Sequence, residues 1–266
     1  MYVPYWQLAQ KPFENTPDPK FLFDSPQHRE GLSRLLYVVR EGKGAGLLTG
    51  TYGCGKTLLA NALFKELEKD VYRVAFVTNP RLDDTEILRM MVHLLGGADV
   101  PPRKSDALMA LEGIFRANAR EGRKTVVVVD EAHAIESDSI FEELRLLLNY
   151  QTDSQYLVTL LLLGQPELKN KVEFNKQLNQ RIALRYDLQA FNSVETAQYV
   201  KHRLAVAGAK RELFEDAALQ LLHERSGGIP RRINQIADMA LLTGMGRKAA
   251  IINADVVREA IESLSS

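Results

Sequence analysis

Eight consecutive residues constrain this chain more than any others. Gly50-Thr51-Tyr52-Gly53-Cys54-Gly55-Lys56-Thr57 spell GxxxxGK[ST] between a strand-like run (Leu47, Leu48, Thr49) and a helix-like run opening with Leu58 and Leu59. Glycines let backbone N–H groups wrap a phosphate, and the start of the following helix adds its partial positive charge. On this reading Gly50, Thr51, Tyr52, Gly53, Cys54, Gly55, Lys56, Thr57 and Leu58 form the cradle for ATP. Lys56 reaches its β and γ phosphates, and Thr57 holds Mg2+. With glycine at about 7% of average usage, a chance match in a chain of this length has a probability of about 1%. A helix N-terminus would lower the pKa of Cys54, but the sequence shows no partner base. It is read as an oxidation-sensitive loop residue.

A second motif follows. Val126 to Val129 form a continuous apolar run, as in a strand buried on both faces, and the run ends in Asp130-Glu131. This places Asp130 beside the magnesium and Glu131 where it can orient or deprotonate an attacking water. Two strand-helix units between the motifs put another strand between the two motif strands. That arrangement and the glutamate favour hydrolysis over phosphoryl transfer to a metabolite. Ala132 and His133 complete the letters DEAH of a helicase box, yet a second nucleotide-fold domain does not fit in the residues left. His133 is read as a local helix-start residue.

Around these motifs, apolar periodicity suggests strands near 45–49, 72–78, 125–129, 156–163 and 182–188, with helical patterns between the first four. Strands alternating with helices indicate an α/β fold with a parallel sheet covered on both faces. After about residue 190 the pattern is helix alone (193–206, 215–225, 233–242 and 255–264), broken by glycines at 208, 227, 228 and 246. Ser193 and Asn253 stand at N-cap positions. The expected division is therefore 1–190 for the nucleotide-binding core with its leader and 191–266 for a small helical lid.

Composition narrows the class. The chain has 266 residues, 45% hydrophobic and 26% charged, which excludes disorder and allows one large or two modest domains. Its 34 basic and 34 acidic residues balance, so no net field draws it to nucleic acid or anionic lipid. One cysteine excludes an internal disulfide, and the longest apolar run, Leu157 to Leu163, is too short to span a bilayer. The N-terminus shows no export signal, which points to a reducing, cytosolic location.

These residues resemble the AAA+ superfamily, and within it the ATPases called ExeA or GspA that accompany type II secretion, with shorter relatives in pilus and polysaccharide-export systems. The resemblance rests on Pro12-Phe13, Pro17-Asp18-Pro19 and Phe21 before the phosphate loop. It continues in Asp130-Glu131-Ala132-His133, Gly164-Gln165-Pro166-Glu167-Leu168, Gln177-Leu178-Asn179-Gln180-Arg181-Ile182 and Gly228-Ile229-Pro230-Arg231-Arg232-Ile233-Asn234. It implies a P-loop NTPase: a three-layer αβα core with a five-stranded parallel sheet, followed by the helical lid.

By the same resemblance Gln165 is similar to sensor 1, a polar group that touches the γ-phosphate or the water. Arg181 is similar to the arginine finger that reaches a neighbouring subunit's site, with Arg185 as the alternative, and Arg231 to sensor 2. Asn79 either holds Glu131 in an idle pose or forms a plain Asn-Pro turn. The leader residues Phe13, Phe21 and Phe23 either stack near adenine or pin the leader to the core. His28 has no visible partner and reads as a surface helix residue.

The family implies an oligomer, as a hexamer, another ring or a filament. It also implies a secretion, pilus or export machine as partner, and a location in the cytoplasm or peripheral to the inner membrane through that partner. The chain ends just after the lid, so the stand-alone relatives are the expected model, with no direct membrane insertion and no wall-binding domain. Two other readings are a DNA-binding regulator like the AAA+ adaptors of transposition, through Arg103-Lys104, Lys210-Arg211, Arg231-Arg232 and Arg247-Lys248, and a nucleotide-sensing scaffold with negligible turnover.

Overall fold

The computed structural model describes residues 1–16, 18–97 and 100–265, so Pro17 of the leader motif lies outside the described residues. In chain order the elements are helix α1 (Tyr2–Tyr5), a 3-10 turn (Pro19–Phe21), α2 (Pro26–Arg40), β1 (Ala45–Gly50), α3 (Lys56–Glu66), β2 (Tyr72–Val77), α4 (Asp84–Leu94) and α5 (Lys104–Arg120). They continue with β3 (Lys124–Val129), a second 3-10 turn (Ala132–Ala134), α6 (Asp138–Leu147), β4 (Val158–Gly164), α7 (Glu167–Phe174), α8 (Lys176–Arg181) and β5 (Ile182–Leu188). Helix alone follows: α9 (Ser193–Val206), α10 (Asp216–Ser226), α11 (Pro230–Gly246) and α12 (Ala254–Ser265). Contacts divide the chain into two compact units, residues 29–50 with 59–188, and residues 1–28 with 51–58 and 189–266.

The first unit is built on a five-stranded sheet in the order β2-β3-β4-β1-β5. All pairings are parallel, with Val127 opposite Leu160 and Leu160 opposite Ala45. Val126 to Val129 are fully buried, as a strand covered on both faces requires. On one face Leu47, Val127, Val129, Leu160 and Leu162 form a core with Leu88 and Met91 of α4, Phe115 of α5 and Phe141 and Leu144 of α6. On the other, Gly46 admits Val38 of α2, and Phe64 of α3 meets Phe76 of β2 edge to face at 5.0 Å. The result is the expected three-layer α/β sandwich. A strand does separate the two motif strands, but it is β4, which follows the acid pair in sequence, while β2 lies at the edge.

The second unit has a core of its own, shared between the leader and the C-terminal helices. Trp6 donates its indole N–H to the Leu241 carbonyl at 2.9 Å. Phe13 meets Phe214 edge to face at 6.3 Å, and Phe23 meets Phe191 at 5.6 Å. The leader aromatics therefore pin the leader, and the surface they pin it to belongs to the residues after 190. The cap of α9 is Asn192 rather than Ser193, because Asn192 and Glu195 complete a reciprocal capping box that places Ser193 inside the first turn. Asn253 caps α12 as expected, accepting from the Val256 N–H at 3.1 Å. No helix among the described residues is long and apolar enough to cross a membrane.

Candidate active site

The loop after β1 turns through two glycines in the left-handed region, Gly53 at φ 85° and Gly55 at φ 101°, before α3 opens on Lys56. Glycine holds these values without steric cost, and the space beside each is taken. A Cβ on Gly53 would lie 2.7 Å from Cβ of Arg231, and one on Gly55 would lie 3.1 Å from Nε2 of His28. Lys56 is buried, with its ammonium donating to the Thr51 carbonyl at 3.2 Å. Its charge is thus folded over the loop that precedes it.

Arg231, in the first turn of α11, lies against the same loop. Its guanidinium carbon sits 4.4 Å from the centre of the Tyr52 ring, it donates to the Tyr52 hydroxyl, and its backbone N–H donates to the Gly53 carbonyl at 3.3 Å. Tyr52 itself is exposed. Cys54 is fully buried. His28 is not the surface residue expected: it is 5% exposed, its Nδ1 is 2.8 Å from Ser25 Oγ and its Nε2 is 3.1 Å from the Cys54 carbonyl oxygen. Sequence could not reveal this, since the partner is a backbone atom 26 residues away. Burial holds the His28 pKa below its ordinary value.

Asp130 and Glu131 leave β3 differently. Asp130 is 3% exposed and accepts from the Glu131 N–H at 2.9 Å. Glu131 has φ 52° and ψ 30°, a left-handed conformation rare for a side chain of this size, and its carboxylate is partly exposed. His133 is more than a local turn residue. Its Nδ1 is 3.5 Å from a Glu131 carboxylate oxygen, and its Nε2 is 2.8 Å from the Gln165 side-chain amide. The Gln165 N–H also points at His133, at 3.3 Å from Nδ1. Lys171 of α7 donates to the carbonyls of His133 and Ile135. Glu131, His133 and Gln165 thus form one cluster, which follows from β3 and β4 being neighbours.

The remaining candidates stand apart. Arg181 closes α8, donating from Nη2 to Asn149 at 2.7 Å, while its Nη1 is buried with no partner among the described residues. Arg185 on β5 donates to the backbone and side chain of Asn179. Asn79 is exposed and accepts from the Arg81 N–H at 3.3 Å, the geometry of a local turn. The Thr57 hydroxyl and, in the other compact unit, the Asp130 carboxylate are each a hard oxygen donor of the kind magnesium takes alongside phosphate and water.

A family model described as an AAA domain matches residues 39–172. General secretion pathway protein A of Aeromonas hydrophila is 37% identical over 269 residues, covering 98% of this chain and 48% of that protein, so the chain spans about half the length of this curated relative. Among solved structures, the ORC2 protein of Aeropyrum pernix superposes with a TM-score of 0.66 at 21% identity, over 91% of this chain and 71% of that one. CDC6P from Pyrobaculum aerophilum gives 0.74 at 16%, over 92% and 70%. The RuvB Holliday junction branch migration motor of Thermotoga maritima gives 0.60 at 20%, over 96% and 74%. At these identities the structural likeness speaks for the fold. Together with the family match and the secretion relative, it leads to one assignment: the chain belongs to the AAA ATPase family and is similar along its length to general secretion pathway protein A.

Proposed function

We propose that this protein hydrolyses ATP in a magnesium-dependent reaction and works as an oligomer serving a secretion, pilus or export machine. The observation that carries the reading is the conformation of Glu131, held left-handed directly after the buried Asp130 and tied through His133 to Gln165. In this reading residues 50–58 hold the phosphates through their backbone N–H groups, and Lys56 neutralises the β and γ oxygens. Thr57 and Asp130 would hold Mg2+, which when bound draws charge from the same oxygens. Glu131 orients the water and accepts its proton, while Gln165 aims it at the γ-phosphorus. Arg231 leaves Tyr52 to meet the γ-phosphate, and Arg181 of a neighbouring copy neutralises charge that develops as the bond breaks.

The secretion role is supported by the Aeromonas relative, a general secretion pathway protein, and a place in the cytoplasm or at the inner membrane through a partner is proposed with that role. The competing DNA-binding reading finds less support in the basic pairs. Lys104 is ion-paired with Asp84 at 2.7 Å and Glu143 at 2.8 Å, Arg247 is paired with Glu259, and Arg231 stacks on Tyr52. Counterion release from DNA needs clustered cations that are free to meet phosphates.

Glu131→Gln tests the mechanism. The variant is expected to bind Mg-ATP as the parent does, by calorimetry, and to lose at least about 100-fold in phosphate release. Turnover at the parent rate would remove Glu131 from the chemistry. Turnover by the parent that appears only with duplex DNA and collapses in salt would favour the DNA-binding alternative.

A further inference from the structure

The Ser25-His28-Cys54 chain of contacts has no part in the mechanism above, yet it ends on the phosphate loop. A carbonyl can only accept a hydrogen bond, so the 3.1 Å contact requires His28 Nε2 to carry the proton. Nδ1 then has a free lone pair, and the Ser25 hydroxyl at 2.8 Å donates to it. Ser25 is fully buried, and the Phe191 ring packs beside the imidazole with centroids 5.5 Å apart. The ring is thereby fixed in both tautomer and orientation.

The consequence lies in the peptide that His28 grips. Among the described residues there are no cis peptide bonds. In a planar trans peptide the C=O of one residue and the N–H of the next point in opposite directions. Holding the Cys54 carbonyl toward His28 therefore turns the Gly55 N–H to the other side of the loop. Gly55, at φ 101°, has no side chain to limit its conformation, and a glycine of that freedom populates several backbone states when nothing restrains it. A flipped peptide would present a carbonyl oxygen to bound phosphate, and a phosphate-binding loop requires the N–H groups to face inward.

We propose that His28 is a positioning residue for the nucleotide phosphates, setting the Cys54–Gly55 peptide so that the Gly55 N–H faces the ligand. The inference rests on the nucleotide-site reading and adds to it a role for the end of the leader, which supplies Ser25, and for the first turn of α2, which supplies His28. The groups facing His28 from outside this relay are Asp24 and Glu195, whose charges favour protonation, against burial that opposes it.

Two substitutions separate positioning from packing. His28→Phe keeps an aromatic ring against Phe191 and removes the donor, whereas His28→Gln keeps an N–H near the position of Nε2 and removes the ring. Calorimetric titration of the whole protein with Mg-ADP is expected to show affinity about tenfold weaker in His28→Phe, the scale of one hydrogen bond, and within about threefold of the parent in His28→Gln. Affinity retained in His28→Phe, or lost equally in both, would overturn the inference and leave the nucleotide site standing. A parent protein that takes up no Mg-ADP would overturn both. Should His28→Phe not fold, Ser25→Ala serves instead: it frees the tautomer and is expected to weaken binding by about threefold, and unchanged affinity there would equally count against the relay.

Discussion

Glu131 shows how much a single residue can be made to hold. A left-handed conformation at a side chain of this size costs about 1–2 kcal/mol, and it persists because the flanking Asp130 carboxylate accepts the Glu131 N–H. The carboxylate of the residue held this way lies 3.5 Å from His133 Nδ1. Burial lowers the pKa of His28, and burial followed by the charge of Arg203 lowers that of His202, both from an ordinary value of 6.5. Each is therefore neutral in the fold at a pH where the unfolded chain already binds a proton. The sign follows: stability is full above about pH 6.5 and falls as pH drops from there toward the folded-state values. Denaturant midpoints at pH 7.5 and 5.5 are expected to differ, with a smaller difference in His28→Gln. Equal differences in parent and variant would show that His28 does not contribute.

At the scale of elements, the leader depends on one buried cation. Arg203 of α9 is 4% exposed and donates to the Pro12 carbonyl at 2.5 Å, the Glu14 carbonyl at 2.9 Å and the Tyr199 hydroxyl at 2.8 Å, while its guanidinium stacks 4.5 Å from the centre of the Phe21 ring. Arg203→Ala strands two carbonyls and opens a cavity at once. A loss of about 3 kcal/mol in unfolding free energy is expected, measured by chemical denaturation. A loss below about 1 kcal/mol would mean that the aromatic contacts alone secure the leader. Asn15 continues the connection, donating to the Arg231 carbonyl and accepting from Asn234 at 2.9 Å, so leader and α11 share a hydrogen-bond network at the residue proposed to sense the γ-phosphate. Helix and strand positions were readable because they depend on local periodicity. The capping box at Asn192 was readable too, since Asn-x-x-Glu precedes an apolar run, but the neighbouring serine competes for the same role and only the backbone geometry separates them.

For the molecule as a whole, the charge balance of 34 basic and 34 acidic residues places any assembly under the control of local contacts rather than net repulsion. If Arg181 acts on a neighbouring copy, turnover per protomer rises with protein concentration. Arg181→Ala is then expected to lower turnover by about 10³ or more while Mg-ADP affinity holds. Concentration-independent turnover that survives the substitution would show that each copy hydrolyses alone. Light scattering without nucleotide, with Mg-ADP and with a slowly hydrolysed ATP analogue, each with and without duplex DNA, reads the assembly directly.

Sequence alone determined the glycine-rich loop after β1, the acid pair and the alternation of strands and helices, because each is written in residues close together along the chain. Residue type permits the left-handed conformation at Gly53 and Gly55, and burial of four successive valines follows from hydrophobicity. The tertiary structure decided what lies side by side. It put β4 between the motif strands, brought Gln165 to His133 and Glu131, laid Arg231 on Tyr52, and sent His28 to a backbone oxygen in the loop. Parallel strands and buried polar groups find their partners across tens or hundreds of residues. Those pairings are selected by packing and by the cost of leaving a buried polar atom unsatisfied, and neither leaves a local pattern to read.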